Sequence, residues 1–250
     1  MLILKTSKQL DKIKKSCNIA SCILNTIREK IIPGITTIEL NSVAEKLAKK
    51  YKTIPAFKGY HGFPYSICAS VNSQVVHGFP TDKPLKEGDI LSVDFGVIYE
   101  NWYSDTAFTK AVGRVSQKVE NLLHVTEKAL YSGIKKAQPF CRIGDISQAV
   151  QKEAEKFDYG VIRDLVGHGV GLDLHEFPQI PNYGIEGEGL ILRPGTVIAI
   201  EPMFVEKSPQ VKRLPDGWGI ATRDEGYSTH FEHTVLITKE GPEILTLYKG

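Results

Sequence analysis

The segment Leu85-Lys86-Glu87-Gly88-Asp89-Ile90-Leu91-Ser92-Val93-Asp94 returns later in the chain as Leu192-Arg193-Pro194-Gly195-Thr196-Val197-Ile198-Ala199-Ile200-Glu201. In each copy a turn at Gly leads into an apolar, β-branched run, the pattern of a strand entering a core. Each run stops on an acid where a further apolar residue is expected. An ionised carboxylate at the inner end of a core strand is costly unless it is paired or bound to a cation. Such a chain is constrained to two similar halves, and its two equivalent acids point to a metal site shared between them.

The flanking sequence extends the repeat. Leu10, Ile13, Cys17, Ala20, Ile23, Leu24 and Ile27 recur at helical spacing, which predicts an amphipathic helix over 7–30, ended by Pro33-Gly34. Thr37, with Glu39 behind it, opens a second helix through Ala48. Residues 55–64 form a loop rich in Gly and aromatics, and 66–76 alternates like strands around a turn at Asn72-Ser73. The second half follows the same order: a helix over 119–138, then one from Ile143 to near Phe157 with Asp145 as its cap. The Gly-rich stretch Gly167-His168-Gly169-Val170-Gly171 comes next. His175-Glu176-Phe177-Pro178 then echoes His77-Gly78-Phe79-Pro80. No Ser/Gly/Pro-rich linker intervenes. The expectation is a single domain over 1–250, with pseudo-twofold halves of about 1–110 and 111–250 and a cleft at their seam.

Composition narrows the class. With 42% hydrophobic and 24% charged residues, a chain of 250 residues can bury a sizeable core. A net charge of +2 does not argue for nucleic acid, and no DNA partner is expected. Lysines do crowd the first fifth, among them Lys5, Lys8, Lys12, Lys14, Lys15, Lys46, Lys49 and Lys50; a solvated helix face explains them before a polyanion-binding one does. The N-terminus has no secretory pattern beyond the short run Leu2-Ile3-Leu4, and no apolar run reaches membrane-spanning length. Four cysteines without CxxC spacing (Cys17, Cys22, Cys68, Cys141) suggest reduced thiols. A cytoplasmic enzyme is expected.

The chemistry gathers around the acids. Residues 94–105 predict a β-hairpin turning at Glu100-Asn101. If Tyr99 faces Trp102, Gly96 lies opposite Asp105 and Asp94 opposite Ala107. Asp94 and Asp105 are then diagonal on one face, roughly 7–8 Å apart at Cα and within reach of a common ion. The alternative is a pair of strand-end acids meeting solvent. Glu201 and Glu232 occupy corresponding places in the second half, Glu232 between apolar neighbours in a strand pattern. His168 sits among glycines that admit close approach, although a lone His in such a loop is usually solvated. Asp94, Asp105, His168, Glu201 and Glu232 together are a hard, oxygen-rich donor set. That set excludes a thiolate zinc finger and favours two bridged divalent ions, the arrangement of aminopeptidases and phosphatases.

Gly59-Tyr60-His61-Gly62-Phe63-Pro64, Val76-His77-Gly78, Asp94…Asp105-Thr106, Gly167-His168-Gly169-Val170-Gly171, His175-Glu176, Glu201-Pro202-Met203 and Phe231-Glu232-His233-Thr234 resemble, in order and spacing, the type I methionine aminopeptidases. The resemblance spans almost the whole chain. It implies the pita-bread fold, an α/β (α+β) class in which a duplicated helix-strand unit forms a curved antiparallel sheet with helices outside. It implies metal-dependent removal of N-terminal methionine from nascent proteins and peptides, with small second residues preferred. Asp94, Asp105, His168, Glu201 and Glu232 would ligate two divalent ions (Co, Mn, Fe or Zn), with Asp105 and Glu232 bridging. Glu201 would take the proton of the attacking water and pass it to the leaving amine. His175 would stabilise the tetrahedral intermediate, and His77 would hold the substrate peptide near the scissile bond.

Phe57, Tyr60, His61, Cys68, Leu174 and Trp218 match or neighbour the positions of the family's methionine pocket; their alternative role is ordinary core packing. Leu174 stands where many members have Phe, and Phe57 where another has Cys, which changes the pocket's shape but leaves it apolar. Asn72 and Ser228 match positions that bind a monovalent cation in some relatives. The chain shows neither the N-terminal extensions of eukaryotic forms nor a type II insertion, so a bacterial or organellar monomer is expected, with nascent chains as substrates and the ribosome as a contact. Two rivals share the fold. Aminopeptidase P or prolidase, acting on X-Pro bonds, carries an extra N-terminal domain. A catalytically dead protein that binds RNA or ribosomes loses metal ligands, and all five are present here.

Overall fold

Ile13, Cys17, Ala20, Ile23, Leu24 and Ile27 are buried along one face of helix α1 (Ser7–Lys30), as their spacing predicts. Helix α2 (Thr37–Lys50) begins on a capping box. The Glu39 N–H donates to Thr36 Oγ1, and the Thr36 N–H donates to the Glu39 carboxylate. The cap is Thr36, and the helix opens at Thr37 as expected. The computed structural model describes residues 3–248; Leu2, at the head of the N-terminal apolar run, and the outer ends of the 1–250 unit lie outside the described residues.

The second half supplies α3 (Gln117–Lys136) and α4 (Ile143–Glu155). Asp145 is not the N-cap of α4. It lies in the first turn and its carboxylate accepts from the Arg142 N–H at 2.8 Å, closing the helix start from inside. Asp145 thus serves the helix start from the third helical position, after the Arg142 cap.

Eight strands build the main sheet: β1 (Cys68–Val71), β2 (Ile90–Phe95), β3 (Thr106–Ala111), β4 (Gly167–Gly169), β5 (Glu176–Ile180), β6 (Val197–Ile200), β7 (Glu232–Ile237) and β8 (Pro242–Ile244). Their order is β5-β4-β6-β7-β3-β2-β1, antiparallel throughout, with β8 on β7. The seam between halves is the β3–β7 pair, where Glu232 opposes Ala107. Around it the halves repeat in detail. Gly88 and Gly195 both turn at positive φ (94° and 93°), a conformation open to glycine. Gly88 N–H donates to Val112 O, and Gly195 N–H to Ile237 O, so each turn closes on its own partner strand. Bridges Thr36–Pro84 and Arg142–Ile191 tie each helix start to its turn. The turn at Asn72-Ser73 exists, but the strands it joins part company: β1 pairs with β2, whereas Gln74–Val76 joins a separate small sheet against Ile220–Thr222.

Strand alternation decides where the chemistry goes. Leu91, Val93 and Phe95 of β2, Ile198 and Ile200 of β6, and Val235 and Ile237 of β7 pack with Ile23, Leu40, Leu130 and Ile146 of the four helices in the largest apolar cluster. Asp94, Glu201 and Glu232 have the opposite parity, and so does Asp105 relative to Phe108 of β3. All four therefore project from the face away from the helices.

Candidate metal centre and substrate cleft

The hairpin takes the register expected: Tyr99 pairs with Trp102 and Asp94 with Ala107. Glu100 and Asn101 turn with φ of 47° and 66°, the primed turn that matches strand twist. Gly96 permits the approach, since a Cβ there would lie 2.0 Å from the Ser104 carbonyl oxygen. Asp105 is fixed from the other half, its C=O accepting from Thr234 Oγ1 at 2.7 Å and its N–H donating to the same oxygen at 3.3 Å. Thr106 Oγ1 donates to Glu232 O at 2.9 Å. Each half thus positions the other's acid.

Asp105, His168 and Glu232, all buried, offer ligand atoms within 4.8 Å of one another. His168 Nε2 lies 3.6 Å from Asp105 Oδ2 and 3.4 Å from Glu201 Oε1. His168 Nδ1 is 2.9 Å from Gly169 O; a carbonyl only accepts, so Nδ1 carries the hydrogen and the Nε2 lone pair faces the acids. The remaining carboxylate, Asp94, adjoins Asp105 and faces Cys68 across the β1–β2 pair.

Electrostatics test whether this set suits cations. Asp94 Oδ1, Asp105 Oδ1 and Glu232 Oε1 are buried oxygens without a hydrogen-bond partner. Burial, and then the charge of Asp105, push the Asp94 and Glu232 carboxyls well above the usual range. Asp105 is pushed up to about 8 by burial and by Glu201. Buried carboxylates that crowd one another with oxygens left over are unstable as an isolated set and suited to divalent ions. The residues fit the group. Glu201 is different: burial pulls its pKa up, but His230 and then His168 outweigh burial and hold it below the usual value. His230 Nε2 stands 3.4 Å from Glu201 Oε2.

One cleft of about 290 Å³ contains the rest. Phe57, Tyr60, His61, Cys68, His77, Leu174, His175 and Trp218 line it together with the five metal-ligand candidates; of the site residues selected from the sequence, only Asn72 and Ser228 do not line it. Phe57, Phe63, Cys68 and Leu174 form a buried apolar cluster with Tyr60 and Trp218 at its edge, so packing and pocket-lining coincide there. Tyr60 Oη and His175 Nδ1 are 2.8 Å apart, and the His175 ring meets His168 edge-on at 4.3 Å. Burial drives His77 and His175 down to about 4, leaving both neutral near pH 7. Asn72 and Ser228 also meet, the Ser228 N–H donating to Asn72 O at 2.9 Å. The Asn72 side chain bonds Ile90 N–H and Asp89.

Sequence reasoning missed Phe63, Val76, Leu165, Val166 and Met203 in the cleft wall, and His230 behind Glu201. His230 was within reach, since it precedes Glu232 by two residues, the period that puts strand neighbours on one face.

A model of metallopeptidase family M24 matches residues 11–239. The methionine aminopeptidase of Clostridium perfringens is 47% identical over 249 residues, covering 100% of both chains. The crystal structure of methionine aminopeptidase from Thermotoga maritima superposes with a TM-score of 0.97 at 45% identity, over 98% of this chain and 99% of that one. The chain belongs to the methionine aminopeptidases of family M24. Its fold is the pita-bread fold of those enzymes, and as an M24 metallopeptidase it uses divalent metal. Prolidase from Pyrococcus furiosus shares the fold more distantly, with a TM-score of 0.78 at 26% identity, over 99% of this chain but 66% of that one. Among the described residues, no helix is long and apolar enough to cross a membrane.

Proposed function

We propose that this methionine aminopeptidase removes the N-terminal methionine of peptides and nascent polypeptides in the cytoplasm, acting best when the second residue is small. The reading includes one catalytic unit over 1–250, monomeric, with halves of about 1–110 and 111–250, and the ribosome as the place where substrates are met. Asp94, Asp105, His168, Glu201 and Glu232 would hold two divalent ions, Co, Mn, Fe or Zn according to supply. A monovalent cation at the Asn72–Ser228 junction would brace the approach to Glu232. The observation that carries the proposal is the union, in one cleft, of partnerless buried carboxylates with an apolar wall of Phe57, Cys68, Leu174 and Trp218.

Bound divalent ions supply Lewis acidity at the scissile carbonyl and acidify the attacking water. The chain's own groups do the rest. The apolar wall, with Tyr60 and His61, takes the methionine side chain and excludes water. Glu201, ionised because imidazoles flank it, accepts the proton of the attacking water at a carboxylate oxygen and returns it to the departing amine nitrogen. With the Tyr60 hydroxyl donating to Nδ1, neutral His175 keeps its hydrogen on Nε2 and donates to the oxygen that gains charge. Neutral His77 on the cleft wall holds the peptide beyond the scissile bond.

Metal-free protein titrated with Mn, Fe, Co and Zn across peptides varied at the first two positions tests the reading. Release of Met from Met-Ala-Ser, with little release ahead of bulky second residues, is expected. Preferential cleavage of X-Pro peptides would overturn it.

A further inference from the structure

Lys5 makes a contact that the reaction outlined above does not use. Its Nζ lies 2.5 Å from Glu176 Oε2, with the two side chains only 1% and 5% exposed. Every other lysine ion pair among the described residues leaves its lysine at least 42% exposed. A desolvated pair is held only where its geometry is fixed and its remaining atoms are satisfied. Here they are. The other carboxylate oxygen, Glu176 Oε1, accepts from the N–H of Leu172 at 2.6 Å and of Asp173 at 3.4 Å. Glu176 thereby closes the loop that carries Leu174 and His175.

The lysine end is equally tied down. Its backbone N–H donates to Gly195 O at 2.9 Å, in the turn that launches β6 toward Glu201. Its Nζ lies 5.9 Å from the Trp102 ring, and a Cβ on Gly171 would meet its Cε at 2.6 Å. Gly171 O in turn accepts from the Tyr103 N–H at 2.7 Å, linking the same loop to the hairpin of Asp94 and Asp105. The N-terminal segment therefore joins the base of the Glu201 strand to the base of the His175 loop.

We propose that Lys5 is a positioning residue for the aminopeptidase reaction, holding Leu174 and His175 against the metal centre through Glu176. The proposal rests on the roles given above to His175 and to the methionine pocket. Without the ammonium, the Glu176 carboxylate is a buried charge with no counterion. It reaches for water, releases the Leu172 and Asp173 amides, and lets the loop carry His175 away from the substrate oxygen. An arginine in place of Lys5 keeps the charge and restores part of the tether; an apolar side chain does not.

Metal-loaded Lys5→Met, Lys5→Arg, Glu176→Gln, Lys5→Met/Glu176→Gln and His175→Asn test this on Met-Ala-Ser and its norleucine analogue, with melting temperature and metal affinity measured alongside. Lys5→Met is expected to lose on the order of ten- to a hundredfold in kcat/KM, mostly in kcat, with metal affinity kept. It should also discriminate less between Met and norleucine, and Lys5→Arg should recover most of the loss. The double variant removes the orphaned charge, so its melting temperature should recover while its turnover stays low. Recovery of both together, or a Lys5→Met enzyme within about twofold of the parent, overturns the proposal. If Lys5→Met does not fold, Glu176→Gln carries the same comparison of turnover against melting temperature. A fully active His175→Asn enzyme would instead sink the role of His175 itself, a separate outcome.

Discussion

Asp94 and Glu201 close equivalent strands in the two halves, yet their surroundings are opposite. Asp94 faces Cys68 and Asp105, has an oxygen with no partner, and has its carboxyl pushed well above the usual range by burial and then by the charge of Asp105. Glu201 has His168 at 3.4 Å on one oxygen and His230 at 3.4 Å on the other, and is held ionised. One duplicated position has become two electrostatic settings, one crowded by like charge and one flanked by imidazoles. What separates them is not the strand but the imidazoles that only the second half delivers, on the Gly-rich β4 and on Ser228–His230.

Substitutions should separate the two settings by effects of very different size. The largest effect is expected at Asp105, which serves both halves. Asp105→Asn should abolish Met-Ala-Ser hydrolysis while circular dichroism stays native, because a neutral amide cannot balance dications; unchanged turnover at saturating metal would refute the ligand assignment. Next come the paired acids. Glu201→Gln should lose on the order of 10²- to 10⁴-fold in kcat that excess metal does not restore. Asp94→Asn should be rescued in part by excess metal. Equal rescue of both variants would erase the distinction between them.

Metal and pH sharpen the same point. Asp94, Asp105 and Glu232 have folded-state pKa values above their unfolded ones, so they bind protons more readily when folded. The metal-free protein therefore loses stability as pH rises from the unfolded carboxylate values, near 4, through about 8 for Asp105. Cations offset those charges, so the gain in melting temperature on adding metal should be larger at about pH 8 than at about pH 5.5. A gain independent of pH would contradict that account. The smallest contrast concerns the helix starts. Thr36→Ala should cost about 1 kcal/mol by denaturant titration. Arg142→Ala, which leaves the Asp145 bond to the backbone intact, should cost less.

Much of the fold was legible because it is written in local chemistry. The bounds of α1, the β2–β3 hairpin register and the duplication each follow from spacing, turn residues and repeated segments. Alternation alone assigns the four acids to one sheet face. Where reading faltered, the reason was a partner distant in sequence. Nothing local shows that Gln74–Val76 leaves β1 for Ile220–Thr222, and Asp145 resembles a cap until the Arg142 N–H is seen to be its donor. Phe63, Leu165 and Met203 enter the cleft from three separate segments.

By itself, then, the order of residues determined that two matched strands would each end in an acid on the polar face, since period and turn chemistry act over a few neighbours. It did not determine that Glu201 would be the acid flanked by imidazoles, or that Lys5 and Glu176 would meet in the interior across 171 positions. Those outcomes belong to the tertiary structure, because proton affinity and ion pairing depend on burial and on the charges nearby in space, and folding alone decides which charges those are.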